Sequence, residues 1–139
     1  MDLGRVDLHE ERVFYLSATH GAEMTGLAAF IATVNYYREN NVIAYLWEYG
    51  EKLIKLINEI AGSYGFSSRF RAEGLGCLPY YKALNEQGEW DPVLTKSFQE
   101  KMMDNGVIVR NIAICYRHDD AALSWTTEAL EKTFSSLKI

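Results

Sequence analysis

Cysteine is scarce in this chain of 139 residues. Only Cys77 and Cys115 occur. They do not form a C-x-x-C pair, and two thiols alone cannot complete a structural metal site. Both are expected to be reduced and buried on strands, with a disulfide between neighbouring strands as the alternative. Basic charge is also in short supply. The 14 Lys and Arg residues stand against 19 Asp and Glu, for a net charge of -5. The basic residues are scattered, so no patch is available to neutralise phosphates. That excludes nucleic acid as a partner, and the same absence argues against an anionic membrane surface. No apolar run approaches the roughly 18 residues needed to span a bilayer. The first eleven residues carry Asp2, Asp7, Glu10 and Glu11, the wrong chemistry for a signal peptide. A cytoplasmic protein is therefore expected. Internal repeats and low-complexity tracts are missing too.

What remains is an ordinary globular composition, 48% hydrophobic and 24% charged, at a length that suits one domain with its own core. Residues 1–12 read as a polar arm and 13–139 as a single domain. Residues 13–16 form a short apolar run, read as a strand or an extended lead-in. Small and hydroxyl residues from Ser17 to Gly21 then suit a turn. A helix follows from near Gly21 to Glu23, with Met24, Leu27, Ala28, Ile31 and Val34 on one face. Glu23 falls in its first turn, where the helix dipole favours negative charge. Asn40 and Asn41 break this helix and can cap the next.

The second helix spans about 42–61, with Ile43, Leu46, Leu53, Ile57 and Ile60 as its buried stripe. Glu48 with Lys52 and Glu51 with Lys55 are i,i+4 pairs on its solvated face. Residues 70–73 and 75–84 read as strands, with Gly74 and Gly76 marking a bulge or a close backbone approach. Asp91-Pro92 is a strong helix start, and Leu94, Phe98 and Met102 follow at i,i+4 spacing. Asn105-Gly106 closes that helix. Residues 107–116 read as the last strand, interrupted by Arg110. Asp119 and Asp120 open the final helix, striped by Leu123, Thr127, Leu130, Phe134 and Leu137. The fold class is α+β, a small antiparallel sheet covered on one face by helices.

Chemistry legible from single residues is sparse. His20 and Glu23 make half a metal site at best. No G-x-S-x-G elbow occurs, and nothing sets Cys77 and His118 apart as a nucleophile pair rather than two core positions. Residues 17–21 have mechanical content: free backbone N–H groups at a helix start can hold an anion such as phosphate. Thr19 as a simple helix cap is the alternative.

The segment Glu11-Arg12-Val13-Phe14-Tyr15-Leu16-Ser17-Ala18-Thr19-His20-Gly21-Ala22-Glu23 resembles the E-R-V-F-x-L-S-x-T-H-G-A-E stretch of class III aminotransferases, in the glutamate-1-semialdehyde aminomutase-like branch. The small-residue helix Leu27-Ala28-Ala29-Phe30-Ile31-Ala32-Thr33 is similar to the one that follows it there. Leu46-Trp47-Glu48-Tyr49-Gly50-Glu51-Lys52-Leu53 resembles that family's L-W-x-x-G-E-x-L. Looser likenesses are Gly106-Val107-Ile108-Val109-Arg110 to G-V-x-x-R, and 116–121 to its A-H-T-x-x-D region. These pieces come in the family's order and spacing over nearly the whole chain.

The resemblance implies the C-terminal domain of a fold-type I enzyme dependent on pyridoxal 5'-phosphate (PLP). The intact enzyme would transfer an amino group between a small amino acid and a carbonyl or keto compound, or within one molecule. In that family the Schiff-base lysine lies upstream of the position of Glu11. The ten residues before Glu11 include no lysine, so this chain is expected to lack the large PLP-binding domain, to hold no covalent PLP and to be inactive alone. The resemblance carries no catalytic residue and no metal ligand onto the chain. It places Thr19, with His20 and Gly21, at the PLP phosphate of the partner subunit. It places Arg110 at the substrate carboxylate, which a bidentate guanidinium suits; a surface or sheet-edge arginine is the other reading. His118 matches a structural residue at a helix entry. Glu23 departs from the family's more common asparagine. The expected partners are a second copy, in a homodimer or larger assembly, or the large domain. A stand-alone interaction module descended from this domain is the alternative function.

Overall fold

The structure is a computed structural model, and it describes residues 23–137. The fold is α+β. Among the described residues the order is α1 (Met24–Glu39), α2 (Val42–Ser63), β1 (Phe70–Leu75), β2 (Leu78–Ala83), α3 (Pro92–Asp104) and α4 (Asp120–Ser136). The chain divides between Asn40 and Asn41 into two compact units. The expected strand at 13–16 and the turn at 17–21 lie outside the described residues.

In the first unit, α1 buries none of its residues. The stripe expected to be apolar is in the open, with Met24, Leu27 and Ile31 all exposed. Glu23 is the N-cap rather than a first-turn residue. At the other end the Asn40 side chain donates to the Tyr36 carbonyl at 3.0 Å.

In the second unit, Asn41 has a left-handed backbone and precedes α2 without a side-chain cap. The buried face of α2 is Val42, Tyr49, Gly50, Leu53, Ile57, Ile60 and Ala61. Ile43, expected in that stripe, is instead 61% exposed. The face begins at Val42, one residue earlier, which turns Ile43 about 100° away from the core. Glu48 and Lys52 pair at 2.7 Å as expected, but Lys55 turns toward Glu59 at 3.7 Å rather than toward Glu51.

β1 and β2 form a two-stranded antiparallel sheet, joined by a two-residue turn at Gly76 and Cys77. Gly76 is thus the turn itself rather than a bulge within a strand. Phe70 opposes Ala83 and Ala72 opposes Tyr81, and these pairs share the inner face. α2 and α3 pack on the sheet, and α4 packs on both helices. Four aromatic rings centre the core. Phe98 lies 4.5 Å from Phe70, 5.1 Å from Tyr81 and 5.6 Å from Phe134 between ring centroids. The offset and tilted contacts suit the ring quadrupoles.

The starts of α3 and α4 follow the sequence. Asp91 accepts from the N–H groups of Val93 and Leu94, and Asp119 accepts from Ala122. Gly106, at φ 82°, ends α3, with Val107 N–H donating back to Met102 at 2.9 Å. That left-handed step is open to glycine at no steric cost.

The expected strand at 107–116 is not one. Residues 107–109 and 112–115 carry no regular secondary structure and are separated by a bend at 110–111, and burial alternates along them, with Val107, Val109, Ile112 and Ile114 turned inward. Among the described residues no ladder forms beside them. Near its Ala83 end, β2 already bonds across to the chain at Asp91, and Pro79 has no N–H to offer. Alternation reports which side faces the core; it does not supply a hydrogen-bonding neighbour.

Candidate functional site

The unpaired segment has a hollow on either side. Beneath it is an apolar cavity of about 260 Å³. Tyr49, Leu53 and Ile57 of α2, Phe98 and Met102 of α3, and Thr126 and Leu130 of α4 form its walls, and 106–109 and 112–114 roof it. Tyr49 and His118 bring polar groups to it.

Their geometry comes from a tight turn. His118 N–H donates to the Cys115 carbonyl at 3.1 Å, and Cys115 N–H reaches His118 Nδ1 at 3.4 Å. A neutral imidazole accepting at Nδ1 carries its proton on Nε2. The Tyr45 hydroxyl donates to the His118 carbonyl. Tyr45 also meets Tyr116 edge to face at 5.1 Å, and the Tyr49 and His118 rings are 5.9 Å apart. Burial, followed by nearby Tyr45, Asp119, Asp120 and Cys115, holds the Tyr49 phenol above its ordinary pKa. It therefore stays a neutral donor or acceptor. Tyr81 is likewise pushed up by burial, and Gln99 Nε2 donates to its hydroxyl at 2.7 Å in partial opposition. The cavity can hold a small, largely apolar group with one or two hydrogen bonds at its Tyr49–His118 side.

The second hollow is a groove of about 480 Å³ along the outer edge of β2. Residues 78–83 form one bank and Arg110, Asn111 and Ile112 the other, with Trp90, Thr95 and Gln99 completing it. Lys82 is ion-paired with Glu73, whose other partners are Arg71 and the Tyr80 hydroxyl. Arg110 has no ion-pair partner among the described residues.

The sequence-derived site residues are distributed as follows. Thr19, His20 and Gly21 lie outside the described residues. Arg110 is exposed on the β2 groove, and His118 lies on the cavity. The two cysteines are neither on strands nor buried. Cys77 is partly covered in the hairpin turn, Cys115 is exposed, and both are free thiols. No group of three or more His, Cys, Asp or Glu side chains among the described residues is placed to hold a metal ion.

Sequence reasoning missed the cluster of Tyr45, Tyr49 and Tyr116 around His118. Tyr45 and Tyr49 are four apart on α2, a detectable signal, but their convergence on the 115–118 turn is tertiary. It also missed Asn58, whose amide accepts from Ala72 N–H at 2.8 Å and donates to Ala72 carbonyl at 2.9 Å.

No lysine lines the apolar cavity, and Lys82 on the groove is committed to Glu73. No helix among the described residues is long and apolar enough to cross a membrane. Comparison with known proteins found no matching family model, no matching curated protein and no matching solved structure.

Proposed function

We propose that this chain is the C-terminal domain of a PLP-dependent aminotransferase or aminomutase of the class III type, acting in the cytoplasm. The observation that carries the reading is the ordered likeness of residues 11–23 and 46–53 to that family's two motifs. An α+β fold with a small helix-covered sheet is compatible with it. Gly50 adds a physical reason for one motif position, because α2 meets the hairpin turn there without room for a side chain.

In this reading the parent enzyme takes a small amino acid and a carbonyl compound. PLP would supply the electron sink, anchored by a lysine outside the described residues. Thr19, with His20 and Gly21, would bind the cofactor phosphate across a dimer. Arg110 would meet the substrate carboxylate.

The test is to sequence the coding region upstream of the Met1 codon. The expected result is an in-frame large domain containing a lysine that borohydride links to PLP. A stop codon followed by a separate start signal would overturn the reading and favour a non-catalytic interaction module. In the parent enzyme, Arg110→Ala should raise KM for the carboxylate substrate; an unchanged KM would remove Arg110 from the site.

A further inference from the structure

We infer that the groove between β2 and 110–112 accepts an extended, acidic peptide strand from a partner protein, by main-chain pairing along β2. The inference does not rest on the aminotransferase reading.

Leu84 N–H donates to Arg69 carbonyl at 2.7 Å. In an antiparallel ladder such pairs alternate, so Lys82, Tyr80 and Leu78 also turn their main-chain groups toward β1. Ala83, Tyr81 and Pro79 turn theirs outward. The Ala83 carbonyl is taken by Asp91 N–H at 2.9 Å. That leaves the N–H and carbonyl of Tyr81, and the carbonyl of Pro79, facing the groove. Across it, the main-chain groups of Arg110, Asn111 and Ile112 have no hydrogen-bond partner among the described residues. The open edge of β2 and a bend at 110–111 therefore border one hollow. At strand and sheet spacings a residue fills roughly 160 Å³, so a groove of about 480 Å³ holds a short stretch of one strand.

Chemistry selects the occupant. Water satisfies exposed main-chain groups, so an open edge needs no partner for stability, but it is a template for one. The groove's unpaired charge is the Arg110 guanidinium, which favours a carboxylate on the incoming strand. The exposed side chains of Leu78 and Trp90 favour apolar residues at alternate positions. A second copy offering its own 107–117 stretch would bring Arg110 and Arg117 toward Arg110, a like-charge approach that disfavours self-pairing.

The experiment titrates the full chain with an acetylated, amidated peptide of alternating valine and glutamate, followed by amide NMR and hydrogen exchange. Shifts at Tyr81, Asn111 and Ile112, with new exchange protection of Tyr81 N–H, are expected. Methylating the peptide nitrogens that face β2 should weaken binding by about tenfold or more. Arg110→Glu is at an exposed position, and circular dichroism checks that the fold is retained. It should reverse the preference from the glutamate peptide to a lysine counterpart. Equal binding of the methylated peptide, or an unchanged charge preference in the variant, would overturn the proposal. So would Tyr81 N–H protection in the free chain that grows with protein concentration, which would make a second copy the occupant.

Discussion

Gly50 in α2 and Gly76 in the hairpin turn meet backbone to backbone. A Cβ built on Gly50 would stand 1.7 Å from the Gly76 carbonyl oxygen, and one on Gly76 would stand 2.5 Å from the Trp47 carbonyl oxygen. Neither obstacle is a flexible side chain, so the helix and the hairpin can keep this approach only if both positions lack a side chain. Gly50→Ala is expected to destabilise the second unit by about 1–3 kcal/mol or more, read as a lower urea midpoint. Gly26→Ala is the control. Nothing lies within 4 Å of a Cβ there, so it should raise helicity and stability by about 0.5–1 kcal/mol.

Asn58 is the polar link between α2 and β1. Replacing it with Ala leaves both main-chain groups of the buried Ala72 without their partner. A loss of about 2–3 kcal/mol is expected, with faster exchange of the Ala72 amide. If that amide keeps its protection in Asn58→Ala, the link is not what holds it.

Asp91 caps α3 and pairs with Arg69 at 2.9 Å. The Leu94 N–H, then Arg69 and the Val93 N–H, hold its carboxyl below the ordinary value against an opposing effect of burial. A lowered folded pKa means the unfolded chain binds the proton first. The stabilisation is therefore complete above the ordinary carboxylate pKa of about 4, and it is lost as pH falls through the lower folded value. Thermal melts of the wild type and Asp91→Asn should differ most at neutral pH and converge in acid. A gap that stays constant down to the acid limit would refute the assignment.

Phe98 is fully packed among Phe70, Tyr81 and Phe134. Phe98→Ala should cost about 3–5 kcal/mol, and Phe98→Leu substantially less. Equal losses for the two would show that the ring contacts, rather than the volume filled, carry the stability.

Cys115 is exposed and Cys77 partly covered. A thiol reagent used under native conditions should label Cys115 first, and peptide mapping would identify the site. Labelling of Cys77 ahead of Cys115 would contradict the placement of the hairpin turn against α2.

Local chemistry made much of the fold readable. Asp91-Pro92, Asp119 and Asn105-Gly106 mark helix ends because capping and left-handed stops are decided within a few residues. Leu94, Phe98 and Met102 were legible as a buried stripe because 3.6-residue periodicity puts them on one face. The strand expected at 107–116 shows where such reading stops. Its alternation correctly reports an inner and an outer side, yet a strand also needs a neighbour at hydrogen-bonding distance. The same limit applies to the site. The residue types of Tyr45, Tyr49 and His118 are plain in the sequence, but their meeting at one cavity depends on α2 packing beside the turn that leads into α4.

The chain alone therefore determined its composition class, both ends of α3, the start of α4 and much of the apolar face of each core-forming helix, since these follow from side-chain volume, polarity and short-range hydrogen bonds. The tertiary structure decided that Gly50 must stay bare, that Asn58 ties α2 to β1, and that residues 107–115 run between two hollows without joining a sheet among the described residues. Each of those outcomes depends on distances between residues remote in sequence, which no local preference specifies.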